Sequence, residues 1–197
     1  VYNYMKGTFV WKGNVRPSYA WYDGGVTRMT LTDTYPAGKG AKTDRINLGG
    51  PTADKANMNA KIFPFKVMLG KQPVDPTRRL VLVPKLFGPG GFWATIPATY
   101  NAQTVENNWT AALTAGAQYS GQIGASDSYT GRGTGANQWD WAYTEMWMGI
   151  NHEVAPASAA LSCNDCHSGA AGFDWEALGY TCDPMTGGAA ACGSRNQ

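Results

Sequence analysis

Short aromatic and β-branched runs, broken by turn residues, dominate the first hundred positions. Gly7-Thr8-Phe9-Val10-Trp11 and Pro17-Ser18-Tyr19-Ala20-Trp21-Tyr22 are two such runs, followed by the turn signals Gly13-Asn14 and Asp23-Gly24-Gly25. Residues 26–32 predict a further strand, and residues 61–69 and 78–84 two more, with a turn between these last two around Gly70, Pro73 and Pro76. Residues 35–59 are rich in Gly, Pro, Asp, Asn and Lys and predict a long irregular excursion.

The pattern changes after residue 100. Val105, Trp109, Ala112 and Leu113 recur at a helical period, so residues 104–115 predict a helix with Gly116 as its stop. Residues 121–135 are polar and Gly-rich, an exposed loop. Asp140 is placed to cap a helix from residue 141 to about residue 154, limited by Pro156. Residues 157–161 continue helically, and residues 174–179 predict a short helix stopped by Gly179. The expected fold class is α+β: an irregular, loop- and β-rich region over 1–100, a helical region over 101–180 and a Gly- and Ala-rich tail over 181–197, in one compact domain.

Composition narrows the function. Hydrophobic residues make up 43% of the 197 and charged residues 15%, which suits a folded chain. The net charge of +2 comes without a basic run, which excludes a phosphate-backbone binder and hence nucleic acid as a partner. No apolar run approaches the roughly 20 residues of a membrane span. The first residue is Val1, as expected of a chain from which a leader or an upstream region has been removed.

Cys163-Asn164-Asp165-Cys166-His167 carries the chemistry. It has the C-x-x-C-H form of c-type haem attachment. Each thiol adds to one haem vinyl group; two intervening residues put both sulfurs on one side of a helical turn. His167 then follows as the proximal iron ligand. The competing readings are a zinc half-site, which would need two further ligands such as Cys182 and Cys192 at an unusual spacing, and a redox dithiol. Covalent haem attachment belongs outside the cytoplasm, where Cys182 and Cys192 are expected to pair as a disulfide rather than remain free thiols. Trp139, Trp141, Tyr143 and Trp147 precede the motif and are natural packing for a haem.

Several blocks, in order, resemble the C-terminal part of the octahaem tetrathionate reductase family. They are Pro17-Ser18-Tyr19-Ala20-Trp21, Ala60-Lys61-Ile62-Phe63-Pro64-Phe65-Lys66 running on to Gly70-Lys71-Gln72-Pro73, Leu82-Val83-Pro84-Lys85, Ile150-Asn151-His152-Glu153-Val154-Ala155-Pro156 leading into the cysteine motif, and Asp174-Trp175-Glu176-Ala177-Leu178-Gly179-Tyr180. The resemblance implies a periplasmic multihaem cytochrome with closely packed haems, most of them ligated by two histidines. In that family one haem attached upstream has a lysine ligand and forms the catalytic site. This chain has one attachment motif, so the resemblance implies an electron-transfer module rather than a complete reductase.

The resemblance also marks His152 as an axial ligand. It precedes His167 by 15 positions, about 22 Å along a continuous helix, which suits a neighbouring haem. A fold-back at Pro156 would bring it to its own haem, and both assignments stay open. Met68 stands where the family commonly has a ligating histidine; it is either a weaker sulfur ligand or a core methionine.

The expected function is therefore an extracytoplasmic c-type cytochrome, periplasmic or extracellular. It would hold one covalent haem c and act as an electron-transfer subunit or module of a multihaem assembly, of which a stacked filament is one form. Its partners would be other multihaem cytochrome chains or copies of itself, which bring the neighbouring haems, together with a redox donor and acceptor. The alternative is an accessory subunit of a multihaem reductase of sulfur or nitrogen oxyanions. A third possibility is a diverged scaffold whose haem is mainly structural.

Overall fold

The computed structural model describes residues 15–95, 101–151, 155–167 and 172–195. The run at residues 7–11 and His152 lie outside the described residues. The chain forms two compact units that interleave its segments rather than dividing it at residues 100 and 180. One comprises Val1–Asp23, Ala53–Lys66 and Gly149–Gln197; the other comprises Gly24–Thr52 and Val67–Met148. The interleaving arises because strands β5 (Lys61–Asp75) and β7 (Asp140–Gly149) each run across a boundary.

In the first unit, β1 (Ser18–Tyr22) pairs antiparallel with the start of β5, from Ser18 opposite Phe65 to Tyr22 opposite Lys61. Trp21, Ala60 and Leu178 form its buried core, flanked by Ile62, Phe173, Trp175 and Tyr180. The Trp21 indole N–H donates to the Leu178 carbonyl at 2.9 Å. The tail folds back onto this core. Arg195 lies 4.4 Å over the Trp21 ring and donates to the carbonyls of Lys55 and Ala60 at 3.2 and 2.7 Å.

In the second unit the sheet order is β5-β7-β3, where β3 (Ile46–Asn47) pairs parallel with β7. A short β6 (Leu80–Val81) turns back on the end of β5. Strands β2 (Val26–Arg28) and β4 (Gly49–Pro51) form a separate two-stranded ladder. Helix α1 (Ala102–Ser120) lays Leu113 and Ala117 against Leu80, Leu82 and Trp139. Asn101 and Thr104 start it with a reciprocal capping box. The second unit's turn after β5 is tied down by Asp75, which is fully buried. Asp75 accepts from Arg78 at 2.8 Å and from the Tyr129 hydroxyl at 3.1 Å.

The α+β class holds, yet four local expectations are corrected. Residues 141–149 belong to strand β7, not to a helix. Aromatics at 139, 143 and 147 mimic a helical period, but Ala142 and Thr144 alternate as its buried positions, and aromatic-rich segments favour strands. Second, β5 continues through Gly70 and Pro73 to Asp75. The prolines supply only their carbonyls there: Pro64 accepts from Ile150 and Pro73 from Leu82, so no missing N–H is felt. Third, residues 175–179 form turns rather than a helix, though Gly179 does close them with φ of 82°.

Fourth, α1 does not stop at Gly116. It runs on to Ser120 and ends at Gly121, whose φ of 74° is left-handed. Gly116 is instead where the helix meets backbone: a Cβ there would collide with the Val83 carbonyl and the Lys85 amide. Gly116→Ala is expected to destabilise the protein by about 1–3 kcal/mol through overpacking, against the gain of up to ~1 kcal/mol that alanine brings to a helix. The midpoint of urea unfolding checks this.

Candidate haem-attachment site

The cysteine motif forms a single turn, α2 (Cys163–His167). Ser162 starts it: its N–H and its hydroxyl both donate to the Asp165 carboxylate at 2.7 Å. These two bonds hold the Asp165 carboxyl below its usual range. The approach to α2 is not a helix. Residues 157–159 make one 3-10 turn between Pro156 and Ala160, both extended. The continuous helix that would separate His152 from His167 by its length is therefore absent, and that argument for a neighbouring haem falls away.

Cys163 is an exposed free thiol and Cys166 a half-buried one. Burial, then the neighbouring Asp165 carboxylate and Cys163, push the Cys166 thiol up. Cys182 and Cys192, the further ligands a zinc site would draw on, are joined in a disulfide and have no thiolates to give.

His167 is held on two sides. Its ring stacks on Trp175 with centroids 4.9 Å apart and planes 21° from parallel. Its Nδ1 lies 2.5 Å from Oδ1 of Asp183, which also accepts from the Met185 N–H at 2.9 Å. Burial alone would raise the Asp183 carboxyl, but the bonds from His167 and Met185 hold it low. With Nδ1 engaged, Nε2 is the nitrogen left for a metal.

Beside Cys166 opens a cleft of about 250 Å3, lined by Tyr19, Leu161, Phe173 and Arg16 among others. Tyr19 and Phe173 meet edge to face at 4.4 Å, and the Phe173 N–H donates to the Cys166 carbonyl at 3.2 Å. Two thiols on one turn, an imidazole presenting Nε2, and a cleft with apolar walls at Tyr19, Leu161 and Phe173 beside the charged Arg16 and Asp165 are a donor set and surface that fit a covalent haem.

Other predicted residues lie elsewhere or are engaged. Met68 sits on β5 in the second unit and is 51% exposed, so it is not a core methionine. Trp139 and Trp141 pack with Trp109 in that unit's protein core rather than waiting for a cofactor. The Tyr143 ring carries Lys71 at 4.4 Å and Arg45 at 5.3 Å. The sequence reading missed Asp183. Its only signal was adjacency to Cys182, which fixes it once the disulfide forms.

Residues 1–170 match a sequence family described as bacterial cytochrome c. Among solved structures, an octahaem cytochrome c from Shewanella oneidensis matches with a TM-score of 0.70 and 34% identity. The match covers 94% of this chain and 38% of that one, so the chain spans well under half of its length. A comparison with curated protein sequences finds no match. The structural match agrees with the ordered blocks of the sequence, which also span most of the chain.

Proposed function

Because the chain belongs to the bacterial cytochrome c family, we propose that it is an electron-transfer module of a multihaem assembly outside the cytoplasm, holding one haem c on Cys163, Cys166 and His167. The observation that carries this is the α2 turn: two free thiols and an imidazole whose Nδ1 is already engaged by Asp183. When bound, haem c supplies a one-electron ferric–ferrous couple. The two cysteines would fix it covalently, Nε2 of His167 would ligate the iron, and Arg16 would face a propionate. His152 is the second axial ligand, either of this haem or of a neighbour. Met68, exposed on β5, is available as a weaker sulfur ligand to a haem brought by a partner.

The likeness to an octahaem cytochrome c, at 34% identity over 94% of this chain, supports the multihaem part. The further haems would be contributed by partner chains or copies of this one. The single attachment motif points the same way.

Two measurements on the natively purified particle test this. Pyridine haemochrome absorbance against particle mass should give several haems per particle. The visible spectrum should be low-spin and six-coordinate, with no rapid binding of carbon monoxide, because both axial positions are filled. A monomer with a single haem would contradict the assembly, and a high-spin spectrum would contradict the ligand set.

A further inference from the structure

A buried carboxylate is costly unless its charge is used. The Asp183 side chain is only 13% exposed, and its Oδ2 is buried without a hydrogen-bond partner among the described residues. Its Oδ1 faces Nδ1 of His167 at 2.5 Å. The loop that carries it is fixed from several directions. Cys182, the preceding residue, is joined to Cys192, which is fully buried. The Gly187 N–H donates to the Asp183 carbonyl at 2.8 Å, and the Thr181 N–H to the Cys192 carbonyl at 3.1 Å. Gly187 packs so close to the disulfide that a Cβ there would stand 2.5 Å from the Cys192 sulfur. Beyond the disulfide, Lys55 reaches from another part of the same unit to the Gly193 carbonyl at 3.1 Å.

We propose that Asp183 is the positioning residue of the proximal histidine, held in place by the Cys182–Cys192 staple, and that it sets the reduction potential of the haem on α2. This rests on the haem-attachment reading above. His167 donates its Nδ1–H to the carboxylate, which fixes the tautomer and the ring direction, with Trp175 stacked against one face. The negative charge makes Nε2 a stronger donor, as carboxylate partners do for metal-bound histidines. A stronger donor stabilises the ferric state over the ferrous one, so Asp183 lowers the potential. The orphan Oδ2 fits this assignment, since a cationic iron ligated by His167 would offset a buried charge for which Oδ2 has no hydrogen-bond partner among the described residues.

Asp183→Asn tests it, because the amide keeps the shape and can still accept the Nδ1–H but has lost the charge. Wild type, Asp183→Asn and Asp183→Ala are produced with covalent haem maturation, and haem per chain is measured first. Equal haem in wild type and Asp183→Asn is expected. At a fixed applied potential, Asp183→Asn should then show about a tenfold higher ferrous-to-ferric ratio, a rise of about 59 mV for a one-electron couple. Asp183→Ala, which also loses the hydrogen bond, should additionally broaden the axial-ligand signals in low-temperature electron paramagnetic resonance. A ratio within twofold of wild type in a haem-replete Asp183→Asn chain would overturn the inference while leaving the attachment reading intact. Haem missing from wild type would instead sink the attachment reading. A measurement on wild type alone covers the case of a variant that does not fold. The Nδ1–H resonance of the ligated histidine should persist for hours in D2O if it is buried against Asp183; exchange within the mixing time would overturn the proposal.

Discussion

A chain carrying Cys163→Ala with Cys166→Ala should show no haem stain on a denaturing gel, a complete loss. Both sulfurs are free in the folded chain and lie on the same short turn as His167. No other cysteine can substitute, since Cys182 and Cys192 are consumed in the disulfide. Without a thioether, haem held by His167 alone washes out under denaturation. The single variants should separate the sites: each retains one thioether and some stain. Stain of wild-type strength in the double variant would mean that haem is attached elsewhere.

Trp139→Ala should be the most damaging substitution away from the motif. The side chain is 1% exposed and packs in the core with Leu113, Ala117 and Tyr129. Its indole N–H donates to the Thr110 hydroxyl at 2.9 Å, and the Trp141 ring meets it edge to face at 5.7 Å. Removing a buried tryptophan costs about 3–5 kcal/mol, transfer and cavity together. Trp139→Phe keeps most of the buried area and loses the hydrogen bond, about 1 kcal/mol. Urea unfolding midpoints should fall in that order, with Trp139→Ala far below Trp139→Phe. Equal midpoints for the two would mean that the ring's bulk is not what this core needs.

What could be read in the sequence was local chemistry. Cys163-x-x-Cys166-His167 is a contiguous signature whose spacing follows from one helical turn. The ordered blocks around it anticipated the likeness to an octahaem cytochrome c. The period of Val105, Trp109, Ala112 and Leu113 placed α1, and the disulfide followed from the expected compartment. What could not be read was non-local. Gly116 looked like a helix stop because glycine commonly is one; only the Val83–Lys85 backbone beside it explains why it sits mid-helix. Strand β7 looked helical because Asp140 and Pro156 looked like its cap and its limit, while its partner β3 lies almost a hundred residues earlier. Asp183 meets His167 across 16 residues, through a loop whose shape depends on the disulfide.

The central claim is that this chain holds its own haem on Cys163 and Cys166. Intact mass of the chain purified from a cell with haem-attachment machinery, measured under denaturing conditions, tests it most directly. Fragmentation then localises the added mass. The account predicts one haem per chain, on the peptide containing Cys163 through His167, with Cys182 and Cys192 still paired. A bare polypeptide mass, or haem mapped to a peptide without Cys163 and Cys166, would contradict it.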